Sequence, residues 1–144
     1  MNHFSFSMWA LFMSTLFALL LAAVLWRRRA QPGAVPLMVL VIAAGTWSFG
    51  EAAELASEGL AAKILWTQFR YIGIVTIPYV WVIFALIYAQ ERHWLTTRNM
   101  VLLGIIPLLD YILVWTNELH HLVWTEMWLH TDGSVSVMAS ERGV

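Results

Sequence analysis

Four apolar runs occupy most of this chain, and they lie at 8–26, 36–55, 64–89 and 100–117. A membrane-spanning helix needs about 20 mostly apolar residues, and a water-soluble core of 144 residues could not bury all four runs. Charged residues make up only 12% of the chain, against about 25% in soluble domains. The sequence therefore predicts an all-α membrane protein, in which four transmembrane helices form a bundle within a single membrane domain, 1–144.

Basic residues are concentrated in the connections after the first and third runs. Arg27, Arg28 and Arg29 follow the first run, and Arg92 and Arg98 follow the third. Short loops rich in arginine and lysine stay in the cytoplasm, so we expect the N-terminus and the segment after the fourth run outside the cell. A cleaved signal peptide carries its positive charge before the apolar region, whereas here the charge follows it. We expect a multi-pass protein of the cell (plasma) membrane.

Composition and motifs exclude several classes of function. The chain has no cysteine and a net charge of −1, which argues against disulfides, thiolate metal sites and nucleic-acid binding. No nucleophile has a base at catalytic spacing, and no glycine-rich phosphate loop follows a strand. The histidines lie outside the apolar runs, where metal binding would require several of them to converge: His3, His93, His120, His121 and His130. We expect no catalytic site, no metal, no cofactor and no enzyme activity in this chain.

Four ionisable residues interrupt the last three runs: Glu51, Glu54, Arg70 and Asp110. A charge inside a span must face protein or water and needs a partner. Helix rise and the lean of helical side chains place the four near one depth at the outer end. We expect Arg70 to pair with Glu51, with Asp110 as the alternative partner. The four would form either a buried ion-pair lock that fixes helix registry or a polar ligand pocket or switch; side chains that snorkel along lipid are a third arrangement.

Two prolines and three glycines stand at positions that affect helix shape and packing. Pro78 and Pro107 lie within the third and fourth runs, where each removes a backbone hydrogen bond and favours a kink. Such a kink is either a static bend or a hinge that transmits motion. The glycines are expected at close contacts between helices: Gly45, Gly50 and Gly73.

The segment 118–144 is predicted as an outer loop that follows the fourth helix. Residues 120–129 fit a short amphipathic helix at the membrane surface. Asp132 and Gly133 stand beside alternating residues, which is a signal for a β-hairpin. Both possibilities are open from the sequence.

From the second run onward, the order of motifs resembles a known family. The residues that carry the resemblance are Trp47, Glu51 and Glu54; Trp66, Phe69, Arg70, Tyr71, Gly73 and Pro78; Phe84 and Tyr88; Trp94; Ile105, Ile106 and Pro107; and Thr116, Asn117, Glu118 and His120. Together they resemble the N-terminal seven-transmembrane sensor region of bacterial histidine kinases and related signalling proteins, over most of residues 36–130. Only the first four helices of that region are matched.

The resemblance implies a sensory, signal-input module of a two-component signal-transduction system. Family members have seven helices followed by a cytoplasmic output module, whereas this chain offers four helices and resembles nothing of a phosphoacceptor histidine box or a nucleotide-binding domain. We therefore expect an N-terminal fragment or a shortened relative, with a kinase module downstream if it is a fragment. The expected partners are the lipid bilayer and other membrane helices, from the same protein, a homo-oligomer or a complex, and no nucleic acid.

An alternative function is a small structural subunit of a larger membrane complex, which would pack its aromatic and glycine faces against partner helices. A transporter is disfavoured because no repeat of helix pattern is present. The downstream reading frame distinguishes the two main possibilities. Three more helices and a kinase indicate the sensor, and a stop codon after Val144 indicates the subunit.

Overall fold

The computed structural model describes residues 3–132 and 135–142. Its four long helices are each long and apolar enough to cross a membrane. Their bounds are α1 His3–Arg27, α2 Ala34–Ala56, α3 Leu60–Tyr88 and α4 Thr97–Trp115. A short helix α5 (Asn117–His120) and two strands, β1 (Trp124–Asp132) and β2 (Val135–Arg142), follow. The helical class and the four predicted spans are confirmed, with ends that differ from prediction by a few residues.

Residues suited to turns set the connections between the helices. Gly33 directly precedes α2 and has φ +81°, a left-handed conformation that favours glycine. A 3₁₀ turn (Arg92–Trp94) lies between α3 and α4. Thr96 caps α4 by accepting a hydrogen bond from the Asn99 backbone N–H at 3.3 Å, as hydroxyl side chains commonly do at helix N-termini. These short connections make consecutive helices antiparallel neighbours.

Helices α2 and α3 form the most extensively packed pair of elements. At Gly50 the two backbones are so close that a Cβ would stand 2.6 Å from the Arg70 Cβ. At Gly73 a Cβ would overlap the Ala43 carbonyl oxygen and lie 2.9 Å from the Trp47 backbone nitrogen. Small residues permit this close approach of membrane helices. The prediction that Gly50 and Gly73 lie at helix contacts is therefore confirmed.

The outer two long helices extend this pair in chain order, with α1 packed on α2 and α4 packed on α3. Gly45 of α2 faces α1, where a Cβ would stand 2.9 Å from the Ala18 Cβ, so its predicted contact is also confirmed. The Tyr79 hydroxyl of α3 donates to the Met100 carbonyl of α4 at 3.3 Å, and its ring lies beside Gly104. The α3–α4 interface is the least extensive of the three, which leaves most of α4 exposed.

The two ends of this helical array differ in charge. One end carries the connections that contain 27–29 and 92–98, and we call it the arginine end. The other end carries the 57–59 connection and the segment after α4, and we call it the cluster end. Which end faces the cytoplasm stays a prediction.

The segment after α4 folds as a β-hairpin on described residues. Strands β1 and β2 pair antiparallel, with Trp124 opposite Arg142 and Asp132 opposite Val135. The predicted hairpin is thus confirmed, and the predicted amphipathic helix over 120–129 is wrong beyond the end of α5. The backbone pairing of β1 with β2 outweighs the apolar spacing that suggested a helix. The predicted outer loop therefore contains ordered strands, while 133–134 lie outside the described residues.

Candidate functional site

Five polar side chains meet between α2 and α3, near the connection of these two helices. Glu51 and Glu54 are three residues apart on α2 and so share a helix face. Lys63, Thr67 and Arg70 are spaced by four and then three residues on α3, which also gives them a common face. Because the helices are antiparallel neighbours, the two faces meet at one level. We call these five residues the polar cluster.

Arg70 contacts both carboxylates of the polar cluster. Its Nη1 donates a hydrogen bond to Glu51 Oε2 and lies 2.9 Å from Glu54 Oε2. The two pairs differ in burial, because the side chain of Glu51 is 36% exposed and that of Glu54 is 10% exposed. Removing one partner of an ion pair matters more where water is excluded. Loss of Arg70 should therefore cost more free energy at Glu54 than at Glu51.

Two further side chains of α3 hold Glu54 in place. The Thr67 hydroxyl donates to Glu54 Oε2 at 2.8 Å, and the Lys63 ammonium donates to the Glu54 backbone carbonyl at 2.8 Å. Lys63 and Thr67 are each only 1% exposed. Glu51, by contrast, has Arg70 as its one polar partner among the described residues. Glu54 is thus the fixed carboxylate of the cluster, and Glu51 is the one that can exchange its partner.

The formal charges of the polar cluster cancel. Glu51 and Glu54 supply two negative charges, and Lys63 and Arg70 supply two positive ones. Arg70 is paired with both carboxylates and the Lys63 ammonium is hydrogen-bonded to a carbonyl, and buried charges are tolerated when they have such partners. Arg70 Nε is buried and has no hydrogen-bond partner in the described part of the chain. The cluster can therefore still donate one hydrogen bond to an acceptor.

Three aromatic rings support the polar cluster on the neighbouring face of the hairpin. Phe49, Trp66 and Phe69 precede Gly50, Thr67 and Arg70 in sequence. The Trp66 ring meets Phe49 and Phe69 edge-on, at centroid distances of 5.7 and 5.6 Å. Edge-to-face pairs stabilise by about 0.5–1.5 kcal/mol beyond the area that they bury. These rings therefore stiffen the α2–α3 hairpin at the level of the cluster.

Asn117 and Tyr71 contact the β-hairpin at the cluster end. The buried side chain of Asn117 accepts hydrogen bonds from the Val123 and Trp124 backbone N–H groups at 2.9 and 3.1 Å, and it donates to the Trp124 carbonyl at 3.0 Å. The Trp124 ring meets the Tyr71 ring edge-on at 5.6 Å. Tyr71 follows Arg70 on α3. A displacement of the β-hairpin would therefore act on α3 beside the polar cluster.

Asp110 is not part of the polar cluster. It is exposed and lines a groove of about 500 Å³ between α3 and α4, together with Tyr71, Pro78 and Pro107. The face of α3 that carries Arg70 packs on α2, whereas Tyr71 and Pro78 face α4, so Asp110 of α4 does not contact Arg70. Both prolines lie inside helices that continue through them. A hinge role for Pro78 and Pro107 stays a prediction.

Sequence reasoning missed two members of the polar cluster, Lys63 and Thr67. Lys63 stands on the first turn of α3, and a lysine near a helix end ordinarily reaches the membrane interface. The available signal was spacing, since Lys63, Thr67 and Arg70 fall on one helical face. A face with two cations predicts that it packs against carboxylates, and α2 supplies them.

Most of this chain matches the model of a known protein family. The family model described as the N-terminal 7TM region of histidine kinase matches residues 10–144. No curated protein and no solved structure matches the chain. The matched residues include all of α2, α3 and α4 and both strands. The resemblance found in the sequence is confirmed, and the chain belongs to the family of the N-terminal 7TM region of histidine kinase.

Proposed function

We propose that this chain forms the first four helices of a signal-input module in a bacterial inner membrane, in one membrane domain with its arginine end in the cytoplasm. The observation that carries the proposal is the family match over residues 10–144. Five of the eight arginine and lysine residues lie at the arginine end, at 27–29, 92 and 98, and support this orientation. The cytoplasmic output would be supplied outside these 144 residues.

The polar cluster is the proposed point at which a signal acts. Glu51 is half-buried and is held by Arg70, whereas Glu54 is fixed by Thr67 and Lys63. A ligand acceptor, or a movement of the β-hairpin against Tyr71, would favour a state in which Arg70 leaves Glu51 and keeps Glu54. A ligand shifts such an equilibrium only by its difference in affinity for the two states.

A change at Arg70 would be transmitted because the α2–α3 contact is tight. Gly50 lies against the Arg70 backbone and Cβ, and Gly73 lies against α2 one turn further on. Close-packed helices shift in discrete steps of about 1–2 Å rather than deforming continuously. A shift of α3 relative to α2 would therefore reach the arginine end, where α3 ends at Tyr88.

The first test is the reading frame beyond Val144. The proposal expects further membrane helices and a histidine kinase output, and a stop codon directly after Val144 would contradict it. The second test uses that full-length protein and measures autophosphorylation in membrane vesicles, with thermal unfolding measured in parallel.

In this second test, Glu51→Gln should change basal phosphorylation while the midpoint of unfolding stays close to that of the parent. Arg98→Gln is the matched control, because Arg98 is an exposed basic residue at the arginine end. The combined change Arg70→Met with Glu51→Leu should keep the fold and lose regulated output. Unaltered phosphorylation in both cluster variants would leave the cluster as a lock on helix registry.

A further inference from the structure

The groove that contains Asp110 is a long concave surface between α3 and α4. On α3 it is lined by Tyr71 and Pro78, and on α4 by Leu103, Pro107 and Asp110. These positions are spaced by seven residues on α3, and by four and three on α4, so each set follows one helix face. The groove has a volume of about 500 Å³. We call it the Asp110 groove.

Asp110 has no hydrogen-bonding or ionic partner among the described residues, whose ion pairs join Arg70 to Glu51 and Glu54 and His93 to Glu91. It stands five residues before the end of α4 at Trp115, which is about 7 Å along the helix axis at 1.5 Å per residue. At that depth a carboxylate must pair with another polar group or face water. Because Asp110 is exposed and lines the groove, a group that fills the groove can supply that partner.

We propose that the Asp110 groove is the docking site of a further transmembrane helix, and that this helix carries a lysine or arginine opposite Asp110. The family description counts seven membrane helices, and this chain contains four candidate spans among its described residues, so helices of the required kind belong to the family. The inference requires that the chain is embedded in a membrane, and it does not depend on the proposed role of the polar cluster in signalling.

Charge distinguishes a basic transmembrane helix from two other possible occupants of the groove, a lipid acyl chain and a second copy of this chain. A lipid acyl chain offers no donor to Asp110. Among the side chains that the structure describes, a second copy of the chain offers no free cation at this level, because Lys63 and Arg70 are both engaged with Glu54 within the polar cluster. A helix from outside these four, with its own cation, satisfies the carboxylate.

A second groove on the other side of the α3–α4 pair provides an internal control. It is lined by Ile72, Thr76, Gly104, Leu108 and Tyr111, and it contains no charged residue. It has the same volume, about 500 Å³. Any attraction that arises from apolar surface alone should therefore act on both grooves, whereas attraction to Asp110 should act on one.

The test uses the whole chain in phosphatidylcholine vesicles, and it benefits from the absence of native cysteine. Ile106→Cys places a thiol in the Asp110 groove, and Leu108→Cys places one in the control groove; both parent side chains are well exposed. The probe is a synthetic leucine–alanine helix of about 22 residues that has one cysteine and one lysine a turn from its midpoint. A matched peptide has leucine in place of that lysine.

We expect the lysine peptide to form a disulfide with the Ile106→Cys chain at about tenfold lower peptide concentration than the leucine peptide, a factor that corresponds to about 1.4 kcal/mol. Asp110→Leu should abolish this difference, and the Leu108→Cys chain should not distinguish the two peptides. Asp110→Lys should reverse the preference, toward a peptide with glutamate in place of lysine. Asp110→Asn, which changes the side chain least, should give an intermediate preference.

Circular dichroism of each variant establishes that it has folded before cross-linking is compared. Equal cross-linking by the lysine and leucine peptides would overturn the proposal, as would an equal preference for lysine in the two grooves. Disulfides between two copies of the Ile106→Cys chain that no peptide displaces would also overturn it, and would assign the groove to self-association.

Discussion

The two ion pairs of Arg70 should differ in strength, and burial should decide which is stronger. Arg70 Nη1 contacts both Glu51 and Glu54. Exposure predicts the stronger coupling to Glu54, because Glu54 is 10% exposed and Glu51 is 36% exposed.

The magnitudes follow from the surroundings of each carboxylate. Exposed ion pairs contribute about 0–1 kcal/mol, and the half-buried Arg70–Glu51 pair should lie near the top of that range. A hydrogen bond to a charged group that is shielded from water contributes about 1.5–3 kcal/mol, which suits Glu54 and its shared contact with Thr67. Arg70→Ala removes both pairs and leaves Glu54 buried, so it should lower the free energy of unfolding by about 3 kcal/mol.

A pair of double-mutant cycles measures these couplings. Arg70→Ala is combined with Glu51→Ala in one cycle and with Glu54→Ala in the other, and the free energy of unfolding is taken from reversible denaturation in mixed micelles. Each cycle cancels the other effects of the single changes, such as the loss of the Thr67 acceptor. Arg98→Ala is the control for loss of a basic residue, because Arg98 is exposed on the first turn of α4.

We expect a coupling of about 2 kcal/mol between Arg70 and Glu54 and of about 1 kcal/mol or less between Arg70 and Glu51. A coupling to Glu51 that equals or exceeds the coupling to Glu54 would refute the argument from burial. It would also remove the reason for treating Glu51 as the exchangeable partner.

Three further changes test the packing around the polar cluster. Gly73→Ala should lower the free energy of unfolding by about 1–3 kcal/mol, because its Cβ would overlap the Ala43 carbonyl oxygen; an unchanged unfolding curve would contradict the close approach of α2 and α3. Lys63→Met should lower the free energy of unfolding by about 1–3 kcal/mol, because a buried hydrogen bond from a charged donor is lost. An unchanged free energy of unfolding would show that the Lys63 ammonium lies in solvent. Asn117→Ala should accelerate amide hydrogen exchange at Trp124, because the Trp124 N–H donates a hydrogen bond to the Asn117 side chain. Unchanged exchange would show that other contacts hold the β-hairpin.

The sequence predicted the helices well because their signal is one-dimensional. A run of apolar residues bounded by arginine or glycine defines a span by length alone. Depth along the helix axis is also one-dimensional, and it correctly brought Arg70 to the level of Glu51 and Glu54. Depth says nothing about direction around the helix, and this is why Asp110 was grouped with residues on the opposite side of α3.

The remaining differences come from competition between local signals. Lys63 carries a charge near a helix end, which favours the interface, but its spacing to Thr67 and Arg70 turns it toward α2. The residues 120–129 have apolar spacing that suits a helix. Pairing with β2 nevertheless makes the chain from Trp124 onward a strand. Both outcomes depend on what an element packs against, and that partner lies elsewhere in the sequence.

Labelling of single cysteines in intact cells tests the orientation on which signal input depends. Ala30→Cys and Thr97→Cys lie at the arginine end, and Glu58→Cys and Glu118→Cys lie at the cluster end; all four parent side chains are exposed. An impermeant maleimide should label the two cluster-end variants in intact cells, and it should label the two arginine-end variants only after the membrane is permeabilised. Labelling of Ala30→Cys or Thr97→Cys in intact cells, with protection of the cluster-end variants, would place the polar cluster on the cytoplasmic side and contradict its proposed role in receiving an external signal.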